Sequence, residues 1–551
     1  MTHYLAITIG PIYETFRHVR HTREVWGASY LFSHTARLII EDLCHGNTAD
    51  NAQYFIQPNI TGGSIFERQS GVGLFPDRII VDAKILRGRE FEDIKKTVLT
   101  ELAKTIGNEA DVGTNVNFLK NYIRIDNGIF EVKPDENPIK VASQFLDAAE
   151  LKPHFATEYQ KNPLKGFFKT INKKDGFLKS HYRAVDVNNT VRFESLVEIA
   201  TRELWTKDDI SKQKYVQLVN QYLWVNDDDE DSDGDFVKAL QKEENFKVDF
   251  KTYHKYICVV KADGDAIGKH ITSLKTISEI QSLSKSLLDW GVVVKDTIRN
   301  YGGVPIYVGG DDLLFFAPVC NKQSKVDAKN IVALLRKIKT DFEDSFIKSE
   351  DFNPSLSFGL SITYYKFPLS EAMAKADSLL MQVKKNENTA QGLKGGKLAM
   401  SLIKHSGSTF DLELKLNEKD EINQLEANPL LASFDAIFEQ MKTIDDQPFL
   451  NGVNYKIREN SQLIQRFGTD ADRLKNLFEN VFDEDPQKPE AKHLYLKELR
   501  TLIPKSFGNE FYLQKKDIKN HQKESTELAT NEIFSIVRLA KFLCGLEDIK
   551  D

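Results

Sequence analysis

The chain has 551 residues, 41% apolar and 28% charged, with a net charge of −7. That length exceeds one ordinary core, so several domains are expected, and the acidic balance excludes a protein that grips nucleic acid through an overall basic surface. No apolar run approaches 18 residues and the N-terminus lacks a signal pattern, so a cytoplasmic chain with no membrane partner is expected; Cys44, Cys258, Cys320 and Cys544 form no C-x-x-C pair, so no zinc is expected.

A short apolar strand over 4–9 ends at Gly10-Pro11. A long amphipathic helix is predicted over roughly 13–43, then a turn and strand over 71–84, and helices over 90–107 and 140–150. This opening suits a small α+β layer. Residues 152–183 interleave Lys with Phe, a mix that can bind RNA by charge and stacking or simply form a solvated loop. The acidic run 226–235 begins a calcium-loop pattern at Asp229, Asp231, Asp233 and Gly234, but Leu240 stands where a bidentate Glu is needed, so the run reads as a linker.

From 253 the pattern sharpens. YHKYICVVKA reads as a buried strand ending in Asp263-Gly264-Asp265, and apolar residues from Ile277 to Ile298 recur at helical spacing. VPIYV and LLFFAP are two strands joined through Gly309-Gly310-Asp311-Asp312, a hairpin. A helix over 325–347, a strand over 355–365, a helix over 368–385 and a strand over 395–407 follow. The order β-α-β-β-α-β belongs to the ferredoxin-like or palm fold. Residues 410–551 read as helical. The expected class is α+β, with two ferredoxin-like palm domains plus helical domains. The expected division is 1–140 (non-catalytic palm), 141–248 (helical, linking), 249–407 (catalytic palm) and 408–551 (helical).

Two-metal phosphoryl transfer needs carboxylates from different strands converging on two cations about 4 Å apart. A palm places Asp263 at the end of its first strand and Asp311 and Asp312 on the neighbouring hairpin, with strands about 4.8 Å apart. These three are the candidate catalytic and metal-binding residues. An all-oxygen set suits Mg2+ or Mn2+. Gly309 and Gly310 leave room for a nucleotide, and the turn Gly264, Asp265, Ala266, Ile267 and Gly268 offers backbone N–H groups to a triphosphate. Lys384 or Lys385, at a helix end, can clamp phosphates or merely complement the helix dipole. Gly-Gly-Asp-Asp alone is a weak signal; its place between two apolar strands, after Asp-Gly-Asp and a helix, gives it weight.

YICVVKADGDAIGK, VPIYVGGDDLLFFAP and SFGLSITYYKFPLSEAMAKADSLLMQVKK resemble the second palm domain of the large subunit of type III CRISPR effector complexes, nearest the Cmr module, type III-B. The N-terminal IGPIYETFRHVRHTREVWGASYLFSHTARLI, FPDR at 75–78 and FESLVEIA at 193–200 are similar to the same family. The resemblance implies an antiviral, RNA-activated nucleotidyltransferase. It implies other subunits of the complex, guide RNA and target RNA as partners, and ATP as substrate. It implies a cyclic oligoadenylate product or, in one branch, AMP joined to S-adenosylmethionine. Residues matching Asp263 and Asp311 would bind the metals, and Asp312 would support them. None of the twelve histidines precedes an Asp and no four-cysteine site exists, so neither the HD nuclease nor the zinc site of many members is expected. The first palm, with Gly10-Pro11 at its strand end, is expected to be structural and to help hold a second nucleotide. The alternatives are an idle scaffold and a free-standing nucleotide cyclase. Product, ring size and base preference are not legible.

Overall fold

The computed structural model describes residues 1–551 apart from 17–18, 63–70, 107–111, 153–162, 172–177, 179–181, 183–192, 205–208, 224–229, 245, 247, 347–351, 386–395, 417–428, 468–469, 483–489, 508–521 and 547–551. The first sheet holds β1 (Thr2–Gly10), β2 (Phe55–Gln57), β3 (Arg78–Asp82) and β4 (Arg124–Val132) in the order β2-β3-β1-β4. The central strand β1 buries Leu5, Ala6, Ile7 and Ile9. Helices α1 (Thr22–Leu43), α2 (Phe91–Ile106) and α3 (Pro138–Leu151) complete this layer. The single helix expected over 13–43 is broken into Ile12–Phe16 and α1. The backbone N–H groups of Arg20 and His21 donate to the Glu24 carboxylate at 2.7 and 3.3 Å, so a helix start is built inside the apolar pattern.

The linking region corrects two expectations. Helix α4 (Pro163–Thr170) buries Phe167 and Phe168, so these rings pack in the core and are not available for stacking on RNA. A Cβ on Gly27 of α1 would lie 3.3 Å from Phe168, which shows how closely the two helices meet. The other Phe and Lys of 152–183 lie largely outside the described residues. The acidic run is not wholly a linker: after α5 (Asp209–Tyr222), Glu230 opens α6 (Glu230–Lys242). Leu240 is core, packed with Phe236 and Val237.

The second sheet holds β5 (Tyr256–Gly264), β6 (Val304–Gly309), β7 (Asp312–Pro318), β8 (Leu356–Tyr364), β9 (Lys397–Ile403) and β10 (Thr409–Lys415), in the order β10-β9-β8-β5-β7-β6. Within it, β8-β5-β7-β6 repeats the arrangement of the first sheet, so the chain carries two ferredoxin-like layers in an α+β fold. Its helices are α7 (Ile267–Ser273), α8 (Ile277–Tyr301), α9 (Ile331–Asp344) and α10 (Leu369–Lys385). Strand β10 lies in a segment expected to be helical. It alternates buried Phe410, Leu412 and Leu414 with outward polar residues, a period of two, and pairs antiparallel with β9. Beyond it α11 (Pro429–Lys442), α12 (Glu490–Phe507) and α13 (Gln522–Leu543) pack together, and Arg538 of α13 lies over the Phe410 ring.

The two layers are joined by hydrogen bonds. Val308 N–H of β6 donates to Gly73 O at 2.9 Å, and Asn137 Nδ2 reaches Ile271 O and Leu274 O. A buried polar knot fastens the linking region to the second layer. Glu203 Oε2 accepts from the Tyr253 hydroxyl at 2.7 Å and from His254 Nε2–H at 2.9 Å, while Oε1 accepts from Lys322 N–H at 3.2 Å. Lys251 N–H donates to His254 Nδ1 at 2.8 Å, which fixes the proton of the neutral ring on Nε2. Burial holds His254 below its ordinary value against the pull of Glu203. Burial alone would raise Glu203, but the bonds from His254, Tyr253 and Lys322 N–H bring its carboxyl below the ordinary range. Both groups therefore bind fewer protons folded than unfolded, and stability falls with pH: the His254 contribution is lost below its unfolded value of 6.5, that of Glu203 below 4.5. The melting temperature is expected to drop as pH falls from 7.5 to 5.5, and Glu203→Ala to lose about 3 kcal/mol by stranding three donors. A melting temperature insensitive to both changes would show that the knot carries no stability.

Candidate active site

β5 delivers the site because its apolar run is covered on both faces, leaving only its end polar. Ile257 to Val260 and Ala262 are buried, and Gly264 pairs with Leu356 of β8. On the other side Ala262 pairs with Leu313 of β7. Continuing that register sets Asp263 opposite Asp312 and Gly264 opposite Asp311. The β6–β7 turn is the two residues Gly310-Asp311, closed by the pair Gly309↔Asp312. Gly310 has φ +70°, the backbone that a tight hairpin with glycine first requires.

Gly264 and Asp311 are in near contact. A Cβ on Gly264 would lie 2.7 Å from Asp311 Cβ and 2.8 Å from its Oδ2, so only glycine admits this carboxylate to the strand end. Lys384, in the last turn of α10, donates to Gly264 O at 3.1 Å and ion-pairs with Asp263. Thus Asp263, Gly264, Asp311 and Lys384 come together from three elements. Asp312 stands one register step back, influenced by Lys261, which pairs with Asp377 of α10 at 2.6 Å. Burial raises the Asp311 carboxyl to about 6, helped by the charge of Asp265. Burial raises Asp312 to about 7; Lys261 opposes this, and Asp311, Asp77 and Asp377 add to it.

Asp265 serves the frame. Its Oδ2 accepts from Ser357 Oγ and from Gly396 N–H, both at 3.0 Å, and its own N–H donates to Ser355 O at 2.9 Å. It thereby ties the end of β5 to β8 and to the approach to β9. Ala266 has φ 61° and ψ 11°, a left-handed conformation that costs a non-glycine residue about 1 kcal/mol. The turn is held there by its surroundings, and it leads into α7, which begins at Ile267 and contains Gly268. Lys385 makes none of the contacts given for Lys384. Sequence reasoning missed Lys261, Asp77 and Asp377. Lys261 was legible as the one charge within ICVVKA; Asp77 and Asp377 become neighbours only through tertiary structure. Among the described residues no group of three or more His, Cys, Asp or Glu side chains closes on one point.

The model for the second palm domain of Cas10/Cmr2 matches residues 256–392, and that for the N-terminal region of the CRISPR-associated protein Cmr2 matches residues 4–109. The Cmr2 subunit of the Pyrococcus furiosus CRISPR system Cmr is 27% identical over 239 residues, 38% of this chain and 23% of that protein, so the match spans less than a quarter of its length. Two cryo-EM structures of the type III-B Cmr-beta complex contain similar folds. The apo state matches with a TM-score of 0.55 at 11% identity, over 90% of this chain and 77% of that one. The state bound to cognate target RNA matches with a TM-score of 0.51 at 12% identity, over 84% and 76%. The chain therefore carries, in one polypeptide, a second palm domain of the Cas10/Cmr2 type and a Cmr2-type N-terminal region, the two matched parts of a large subunit of type III CRISPR systems.

Proposed function

We propose that the second palm layer is an RNA-activated nucleotidyltransferase that joins adenylyl units from ATP into a second messenger, releasing pyrophosphate. The observation that carries this reading is the Asp311 carboxylate lodged against Gly264 at the end of β5, beside Asp263 and Lys384. Buried carboxylates with raised proton affinity gain most from a cation. Mg2+ or Mn2+ suits a set of oxygen ligands, because such an ion takes one or two carboxylates and completes its shell with substrate phosphates and water. Asp263 and Asp311 would hold the ion, with Asp312 behind them; when bound, it would neutralise phosphate charge and acidify an attacking hydroxyl. The chain's own residues do the rest. Lys384 leaves Asp263 to meet the triphosphate, the 264–268 turn lines its path, and Gly310 keeps the hairpin tip open, whereas the space beside Gly309 is filled by the Tyr307 ring. Other subunits of the complex, guide RNA and target RNA are the proposed partners. The Cmr-beta relative is named as bound to cognate target RNA.

The test is the assembled complex with α-labelled ATP and Mg2+ or Mn2+, with and without matching target RNA, and with S-adenosylmethionine in one arm. Product that requires target RNA supports the synthetase, and the S-adenosylmethionine arm distinguishes AMP transfer to that acceptor from cyclic oligoadenylate. Product made by the free chain without RNA would instead mark a free-standing cyclase. No product in any arm, with assembly intact, leaves a scaffold. Lys384→Ala is expected to lower turnover roughly 10²-fold and raise the KM for ATP. Unchanged kinetics would remove Lys384 from the site.

A further inference from the structure

A cavity opens at the opposite end of the second sheet. It measures about 520 Å³ and lies between α6, the residues leading into β5 and those leaving β8. Tyr256, at the start of β5, pairs with Tyr364; Gly264 lies eight residues further on, about 26 Å at ~3.3 Å per residue. The cavity is therefore separate from the Asp263–Asp311 site. Its volume is within the range of about 300–1,000 Å³ that holds a small organic ligand, and its lining holds three lysines and two tyrosines against one carboxylate, Asp235.

Three lysines converge there: Lys238 from α6, Lys255 before β5 and Lys366 after β8. Lys238 is paired with Asp235 at 3.0 Å. Lys366 is exposed and makes no ion pair among the described residues. Gly234 makes room for it: a Cβ there would lie 3.2 Å from Lys366 Nζ and 4.0 Å from the Tyr365 hydroxyl. The Tyr365 hydroxyl is bonded to Tyr364, so the phosphate donors of this cavity are the ammonium groups of Lys255 and Lys366. Tyr364 is half-buried, with its ring 4.6 Å from Tyr365 and 4.7 Å from His405, so the cavity wall carries a backed aromatic surface. Phosphate donors beside a supported ring form the elementary unit of single-strand recognition.

We infer that this cavity binds a nucleotide unit, its phosphate on Lys255 and Lys366 and its base on Tyr364. The unit belongs either to a single-stranded RNA segment or to a free nucleotide, and the two share this chemistry. The net charge of −7 requires any nucleic-acid contact on this chain to be local, and this is a local basic site on the described surface. The inference is independent of the catalytic reading, because it is read by binding alone.

The experiment uses the full chain and fluorescence polarisation with a labelled eight-nucleotide RNA, with ATP and inorganic tripolyphosphate as unlabelled competitors. Variants are Lys255→Glu/Lys366→Glu, the milder Lys366→Gln, and Tyr364→Ala. The double variant is expected to weaken RNA binding at least tenfold and to flatten the dependence of log K on log salt by about 1.4, at ~0.7 per lost contact. Lys366→Gln, at an exposed position, should weaken it several-fold with the fold intact by circular dichroism. Tyr364→Ala should weaken RNA but not tripolyphosphate. If ATP competes in the parent and this competition is lost in the double variant, the free nucleotide is the source; if only RNA does so, the strand is. Identical RNA and ATP binding by parent and double variant would overturn the proposal. So would tripolyphosphate matching RNA in affinity with Tyr364→Ala silent.

Discussion

Asp311→Ala, measured in the assembled complex with target RNA and labelled ATP, is expected to lower product formation roughly 10³-fold or more, with assembly unchanged. The size follows from position. Asp311 is the second residue of a two-residue turn, so its backbone is fixed by the closing pair Gly309↔Asp312 and not by its own side chain. Its carboxylate is the group that Gly264 is shaped to admit. Removing it deletes negative charge where a phosphate-bound cation would be held and deletes little of the fold. Burying that charge is unfavourable in the free protein, since burial raises its carboxyl to about 6; the alanine variant should therefore melt no lower than the parent. Asp311→Asn, of the same shape, should fail equally. Asp312→Ala differs in activity, because Asp312 stands one register step behind Asp311; a smaller loss is expected there, again with no loss of stability, since burial raises its carboxyl to about 7 despite Lys261. Retained activity in Asp311→Ala, with the melting temperature unmoved, would falsify the catalytic reading of the hairpin.

The parts legible in the sequence are those set by local pattern. β5 and the hairpin strands are continuous apolar runs because both faces of the sheet are covered, and α8 carries an unbroken helical period from Ile280 to Ile298. The Gly-Gly-Asp-Asp turn was readable because glycine takes the +70° φ of Gly310 without steric cost. What escaped was decided at a distance. The break before α1 depends on Glu24 reaching back to Arg20 and His21. Phe167 and Phe168 sit among lysines in the sequence, yet Lys165 and Lys169 are exposed while both rings are buried, Phe168 beside Gly27. β10 has a clear alternation, but it opens the stretch from 410 that reads as helical, and it shows as a strand only once β9 is there to pair with it. The influence of Asp77 on Asp312 exists because the 71–77 segment runs along the edge of β6, through Gly73 and Tyr307, and no local pattern announces that contact.

Gly359 shows how far the site depends on such contacts, and Gly359→Ala is expected to be strongly damaging. It lies in the middle of β8, paired with Lys261 on one side and Ala399 on the other. A Cβ there would sit 2.0 Å from Ala376 O and 2.6 Å from Leu380 N. Both are backbone atoms of α10, so no side-chain rotation relieves the clash; the helix must lift off the sheet. The expected cost is about 3 kcal/mol or more, the upper range for overpacking against atoms that cannot yield. The same helix carries Asp377 and Lys384, which hold Lys261 and Asp263. Lifting it therefore withdraws the lysine from the strand end, and activity should fall even at temperatures where the variant stays folded. Gly268→Ala is the matched control: a Cβ there meets nothing within 4 Å, its φ is not in the left-handed region, and it lies inside α7, so stability should hold or rise by up to ~1 kcal/mol. Thermal unfolding of the two variants beside the parent decides the matter. If Gly359→Ala melts with the parent, α10 does not lie on β8 this closely, and the placement of Lys384 at Asp263 loses its support.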